Sequence, residues 1–365
     1  MKKSDILVLT LVVVSTLFNR LPAQQAGVNI DSFLLEQIRE FHIPALSYAI
    51  IDNGKVTHQG TYGKANLEYG IPNADTVSFQ LASATKLITA TAIMKLVQDR
   101  KLDLGQRVRH YLPQLPEEWN SMTVIDLLAH QSGITDLLGL QYHFKTVTAA
   151  LDTAMAKPLD FEPGTRTVYA GGDYAVVMKL IETVSGMEFD VFLEETLFKP
   201  LGMDHTGFNN MEQDYIYRTV DLMPHAASVY QWDDAQKKQR IFSMMFPHWT
   251  YPSGGLYASI QDLTKWAIAL DTQKLLSREY AEVMWTSARL RDGTDSDFGV
   301  GWIVAEHRGE KATGHSGGPA LADIVRIPGR NITAIVLTNQ VNLRPFLTMR
   351  ILDYYLEQNS GKEKP

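Results

Sequence analysis

Strand patterns lie at the two ends of this chain, with a long and mostly helical middle between them. Residues 43–51 and 55–62 have the apolar, β-branched composition of strands, and Asp52-Asn53-Gly54 between them is a strong hairpin turn. Four more strand patterns come much later, at 298–305, 311–315, 321–327 and 332–338, with Pro328-Gly329-Arg330-Asn331 as a turn between the last two. Strand backbones need partners for their N–H and C=O groups. The two end groups are therefore expected to complete one sheet. The spacing predicts a mixed α/β chain of the α+β kind: an antiparallel sheet formed by both chain ends and flanked by helices, plus a mostly helical lobe. The sheet lobe takes in about 28–80 and 255–365, and the helical lobe about 81–254.

Helix patterns fall at 30–41, 123–129, 147–155, 173–185, 191–197, 259–270 and 343–356. Residues 210–245 are polar, acidic and basic by turns with no clear period, and read as a surface excursion that shapes a pocket.

Composition removes several chemistries. The chain has 365 residues and no cysteine, so thiol nucleophiles, disulfides and thiolate metal sites are excluded. Its ten histidines are scattered and form no H-E-x-x-H, so no metal is expected. A net charge of −7 without a long basic run argues against a nucleic-acid partner. Asn331-Ile332-Thr333 fits a glycosylation sequon and reads as chance in a strand-like context. At the start, Lys2 and Lys3 precede an apolar stretch over 6–18, and Leu21-Pro22-Ala23 offers a small residue for cleavage. Residues 1–23 thus read as a bacterial export signal, giving a periplasmic or secreted protein that begins near Gln24 and makes no stable membrane insertion; an uncleaved anchor is the rival reading.

The chemistry starts at Ser83-Ala84-Thr85-Lys86. Residues i and i+3 share one helix face, so this spacing puts a hydroxyl beside an amine. A serine hydroxyl is a weak nucleophile without such a base or proton relay. The apolar run over 87–97 covers more than one face, so the helix behind Ser83 should be buried. Two further segments carry suitable groups. Tyr169 follows the turn Pro163-Gly164, and a phenolate stabilised by cations can act as a base. Gly314-His315-Ser316-Gly317-Gly318 follows a strand, and its small residues let a substrate lie along the strand edge with backbone N–H groups facing an oxyanion. A competing pair, His130 and Ser132, stands at i and i+2 and so does not face itself on a helix. No carboxylate is evident in sequence to orient that histidine. No G-x-S-x-G elbow occurs.

Taken together, these segments resemble the serine β-lactamase-related superfamily. The resemblance is to the branch holding class C β-lactamases, D-alanyl-D-alanine carboxypeptidases, D-aminopeptidases and family VIII esterases. It runs from Ile43-Pro44-Ala45-Leu46-Ser47 through Ser83-Ala84-Thr85-Lys86, Leu127-Leu128-Ala129-His130-Gln131-Ser132-Gly133 and Pro163-Gly164. It continues through Lys199-Pro200-Leu201-Gly202-Met203, Ser253-Gly254-Gly255-Leu256, Gly299-Val300-Gly301-Trp302 and His315-Ser316-Gly317. The resemblance implies a β-lactamase/penicillin-binding-protein-like fold. It also implies roles: Ser83 as acylated nucleophile, Lys86 and Tyr169 as the proton relay, and His315 lining the site opposite and tuning it. The backbone N–H groups of Ser83 and Gly318 become the oxyanion hole, and Ser316 and Gly317 contact substrate.

One position departs from the family pattern. Its second element is commonly Y-x-N, and here it is Tyr169-Ala170-Gly171, without the amide. Asp173 nearby is expected to help start the next helix. The expected function is a serine hydrolase working through an acyl-enzyme, with no metal or organic cofactor. Its substrates are small-molecule esters or amides, D-amino-acid and cell-wall-derived peptides included. The alternatives are a non-catalytic binding protein on a penicillin-binding-like scaffold and a class C-like β-lactamase. The oligomeric state is left open.

Overall fold

The computed structural model describes residues 29–213, 218–318, 321–341 and 347–359. The export signal read at 1–23 lies outside them, and among the described residues no helix is long and apolar enough to cross a membrane.

The two end groups of strands do join. Seven strands form one antiparallel sheet in the order Ile303–His307, Glu310–Gly317, Ala322–Ile327, Ile332–Thr338, Ala45–Asp52, Lys55–Asn66 and Ile71–Pro72. The join is the ladder that pairs Leu46 with Thr338 and Asp52 with Ile332. Asn53 and Gly54 both take positive φ, 48° and 74°, as a tight hairpin turn of this hand requires.

Alternation along the strands builds a core on each face. Leu46, Tyr48, Ile50, Ala334 and Val336 pack under helices Ile30–Glu40 and Leu347–Asn359, against Phe33, Leu34, Ile351 and Leu352. Ala45, Ala49, Ile51, Ile335 and Leu337 face the larger core, shared with Leu263 and Trp266 of helix Ile260–Asp271. The middle of the chain is built around helix Thr85–Gln98, whose Leu87, Ile88, Ala90, Ala92, Ile93 and Met94 are all fully buried. Its Thr89 and Thr91 hydroxyls are tied to the carbonyls of Pro252 and Leu87 at 2.8 and 2.9 Å, so the polar positions on this helix are satisfied.

Three expectations change. The strand read at 298–305 is shortened to Ile303–His307. Gly299 and Gly301 instead make a packed turn: a Cβ on Gly299 would lie 2.4 Å from the Met284 carbonyl, and Gly301 has φ +71° with the Lys86 carbonyl 3.1 Å from where its Cβ would be. The region 210–245 is not featureless. It holds the hairpin Tyr230–Asp233 with Lys238–Ile241, and Tyr230 is buried and pairs in parallel with Gln340. Finally, the helix read at 191–197 splits into Phe189–Leu193 and a π-turn over Glu194–Phe198.

Candidate active site

Ser83 sits one step ahead of where its spacing alone would put it. It is the centre of a 3-10 turn, Ala82–Ala84, that leads into helix Thr85–Gln98. Ala82 has φ +45°, a left-handed conformation that a residue with a side chain pays to adopt. The surrounding chain enforces it. The Leu81 N–H donates to the Leu256 carbonyl at 2.8 Å, and the Leu256 N–H donates to the Thr85 hydroxyl at 3.3 Å. Ser83 is left half-buried between buried Ala82 and Ala84.

Lys86 points inward from the first turn of the helix and is 2% exposed. Its Nζ donates to the Ser253 carbonyl at 3.0 Å and lies 4.8 Å from the ring centroids of both Tyr169 and Tyr174. The amine is therefore held by one carbonyl and two aromatic faces, which joins the S-x-x-K, Tyr169 and Ser253-Gly254 segments at one place.

His315 approaches from the sheet. Its ring centroid is 6.1 Å from that of Tyr169, and its Nδ1–H donates to the Ser316 carbonyl at 2.8 Å. A carbonyl only accepts, so the neutral ring carries its proton on Nδ1 and keeps the lone pair on Nε2. Burial, and after it the neighbouring Lys86 charge, push the imidazole down to about 3 against the Ser316 bond. His315 is thus a neutral group at ordinary pH.

The strand that carries His315 reaches past its neighbour. The ladder with Ile303–His307 stops at Gly314, while His315, Ser316 and Gly317 still pair with Ile324, Asp323 and Ala322 on the other side. The Ser316 hydroxyl is already engaged. It donates to Asp323 Oδ1 at 2.7 Å, and Asp323 also accepts from Thr348 of the C-terminal helix. Ser316 therefore presents only its backbone on the His315 side. Gly318 follows at the turn beyond the strand.

The pair His130 and Ser132, set aside in sequence for want of a carboxylate, has one. Asp173 Oδ2 is 2.8 Å from His130 Nδ1, and Asp173 Oδ1 accepts the Ser132 hydroxyl. All three are buried. The carboxylate lies between the serine and the histidine, and Ser132 Oγ is further tied by the Ile134 N–H at 2.9 Å. This serine is buried, with its hydroxyl turned to Asp173, so it has no access to a substrate carbonyl. Asp173 lies in the first turn of helix Gly172–Ser185 but turns inward and does not cap it. Burial pushes its carboxyl well above the usual carboxylate range, against the Ser132 bond. Burial likewise lowers the His130 imidazole, helped by the Lys86 charge.

Gly171, where the amide is missing, has ordinary helical backbone (φ −72°, ψ −25°), and its N–H donates to Asp136 Oδ1 at 2.9 Å. Asp136 is exposed. Sequence reasoning missed it, because it lies 35 positions from Gly171. On the other side of the Ser83 turn, Ala82 and Leu321 share an apolar cluster with Val229, Phe242, Met244 and Phe246. Among the described residues, no group of three or more acidic or histidine side chains is placed to hold a metal ion.

The chain is similar to several known proteins. It is 29% identical to the protein PbpX of Bacillus subtilis (strain 168) over 261 residues, covering 70% of this chain and 61% of that protein. It is 22% identical to an Escherichia coli (strain K12) protein named for D-alanyl-D-alanine carboxypeptidase activity, covering 87% of this chain and 84% of the other. Among solved structures, the octameric penicillin-binding protein homologue from Pyrococcus abyssi superposes with a TM-score of 0.75 at 29% identity, over 92% of this chain and 78% of that one. The D-amino acid amidase from Ochrobactrum anthropi SV3 gives a TM-score of 0.75 over 92% of this chain and 98% of that one; at 21% identity the likeness is one of fold. The beta-lactamase family model matches residues 30–355, nearly the whole described chain, and the protein belongs to that family.

Proposed function

We propose that this protein is a serine hydrolase that forms an acyl-enzyme on Ser83. The observation that carries the reading is Lys86: a buried amine, held by the Ser253 carbonyl and the faces of Tyr169 and Tyr174, one helical turn from a half-buried serine. Burying an amine in apolar surroundings is costly unless it is paired, and a chain that needed only a filled core would place a Leu or Met there.

In this reading Ser83 Oγ attacks the substrate carbonyl while its proton passes to the Lys86–Tyr169 pair. The carbonyl oxygen gathers negative charge between the backbone N–H groups of Ser83 and Gly318. Collapse of the tetrahedral adduct expels the alcohol or amine, which takes the proton back through Tyr169. Water then repeats the sequence on the acyl-enzyme, and Ser83 recovers its proton. His315, neutral and with its Nε2 lone pair directed away from Ser316, lines the side opposite Tyr169. The unpaired edge of residues 315–317 would hold the substrate backbone.

The substrates are small esters or amides, D-amino-acid and cell-wall-derived peptides included. Within that class two features favour esters with an apolar acyl group. The cluster of Phe242, Met244 and Phe246 beside Ala82 offers apolar surface next to the nucleophile. Position 171 offers no amide to hold a carbonyl, and the nearest carboxylate, Asp136, cannot donate one. Export through residues 1–23 would place this activity in the periplasm or outside the cell. A panel of p-nitrophenyl esters, nitrocefin and D-alanyl-D-alanine peptides tests the reading. Ester turnover that disappears in Ser83→Ala supports it. A purified wild-type protein that turns over no member and fails to label with a fluorophosphonate would instead be a binding protein on this scaffold.

A further inference from the structure

We propose that His130 and Asp173 are positioning residues for Tyr169, fixing its phenol against Lys86 without touching substrate. The proposal rests on the reading of Tyr169 as a proton carrier and goes beyond it to a network that the reaction as drawn does not use.

His130 holds the Tyr169 segment in three ways. Its carbonyl accepts the Val168 N–H at 2.8 Å, and its Nδ1 lies 3.4 Å from the Ala170 N–H, so the residues on both sides of Tyr169 are fixed to it. Its ring supports the phenol directly, with centroids 4.4 Å apart and planes tilted by 40°. The same ring lies 5.5 Å from that of Tyr174, so both aromatic faces that flank Lys86 Nζ rest on one imidazole. Phe298 meets the His130 ring edge-on at 5.1 Å.

Asp173 sets the angle of that imidazole. Its bond to Nδ1 at 2.8 Å fixes the ring plane, and its bond from Ser132 fixes the carboxylate in turn. Asp173 lies four positions after Tyr169, so the bond also ties the start of helix Gly172–Ser185 to the loop that bears His130. His130 itself has φ +56°. That left-handed backbone is uncommon for a residue with a side chain and is kept where the surroundings impose it. Here it lets the carbonyl and the ring face the same segment.

Packing alone does not account for the group. A fully buried Ser–Asp–His set carries a desolvation cost that three apolar side chains of similar volume would avoid. What the polar set adds is direction. It also adds little charge: the shifts imposed by burial keep His130 as a neutral imidazole, so it does not compete with Lys86 for a proton.

The test is a double-mutant cycle between Asp173→Leu and Tyr169→Phe, read as kcat and KM on p-nitrophenyl butyrate together with thermal melting. Asp173→Leu fills the site and removes both oxygens that hold His130 and Ser132. It should lower kcat by about a hundredfold and leave KM within about threefold, since the interaction lost serves the transition state. In the Tyr169→Phe background the same substitution should cost less than about threefold, because the group it positions is already gone. An unchanged kcat, or an equal loss in both backgrounds, overturns the proposal and leaves a purely structural network. If Asp173→Leu does not fold, Ser132→Ala removes one of the two side-chain bonds to the carboxylate, and the same cycle applies with an expected loss of about fivefold. A Tyr169→Phe protein with normal kcat would be a different failure, that of Tyr169 as a proton carrier.

Discussion

Gly317 presses against the carbonyl of Leu81, so closely that a Cβ at position 317 would lie 1.9 Å from that oxygen. The contact joins the strand that carries His315 to the turn that carries Ser83. It also limits where the Ala82 backbone can go, since the same Cβ would come within 3.3 Å of the Ala82 methyl. The glycine at 317 has no positive φ, so its value here is lack of bulk and not backbone freedom.

Gly317→Ala should therefore separate the strand from the nucleophile turn. Backbone has to shift to make room, and overpacking of this kind costs about 1–3 kcal/mol. The larger effect should be on activity, because a displacement of about 1 Å near reacting groups costs roughly a hundredfold. Fluorophosphonate labelling rates and melting curves on the same preparation check this. Labelling at the wild-type rate would show that the contact does not position Ser83.

The histidine at 315 predicts a pH dependence of stability. Unfolded histidine titrates near 6.5 and His315 in the folded chain at about 3, so the unfolded state binds an extra proton between those values. The stability that neutral His315 contributes is complete above about pH 6.5 and is lost as pH falls toward 3, at about 1.4 kcal/mol per unit. His130, also lowered, acts in the same direction. Asp173 acts in the opposite one, because its raised carboxyl keeps a proton in the folded state that the unfolded chain releases above 3.8. Urea unfolding of wild type and His315→Gln between pH 4 and 7 isolates the His315 part. The variant should show a slope shallower by about one proton; equal slopes would mean that His315 titrates normally when folded.

These groups were unequally legible in the sequence. The hairpin at Asp52-Asn53-Gly54 could be read because the turn chemistry is local and needs the positive φ that Asn53 and Gly54 adopt. The sheet built from both ends followed from where the strand patterns lie. Its order did not, because pairing Ala45–Asp52 with Ile332–Thr338 depends on contacts across almost the whole chain. Gly299-Val300-Gly301-Trp302 alternates like a strand, yet its glycines serve close approach to neighbouring backbone. The candidate residues Ser83, Lys86, Tyr169 and His315 were picked out by motif, but the Ala82 turn ahead of the helix was not, since nothing in an alanine announces a left-handed φ. Asp173 was visible only as a helix-start residue, because its partners His130 and Ser132 lie 43 and 41 positions away.

Gly171 predicts substrate preference. An activated ester has a good leaving group and needs less help at its carbonyl than a β-lactam does. Short-chain p-nitrophenyl esters should therefore exceed nitrocefin in kcat/KM. Gly171 has helical φ and ψ, so Asn at this position meets no backbone strain. Gly171→Asn should narrow the gap between the two substrates by about tenfold or more, the worth of one well-placed hydrogen bond of about 1.4 kcal/mol. Nitrocefin turnover above that of every ester tested would return the wild-type protein to the β-lactamase class.

In the proposed reaction Ser83 is the nucleophile and Lys86 activates it. Intact-protein mass spectrometry after brief exposure to a fluorophosphonate, followed by peptide mapping, addresses both parts. Wild type should gain one phosphonyl adduct, mapped to Ser83, within minutes. Ser83→Ala should gain none, and Lys86→Ala should label slower by several powers of ten while remaining folded. An adduct on another serine would rule out Ser83 as the nucleophile, and rapid labelling of the Lys86→Ala protein would rule out Lys86 as its activator.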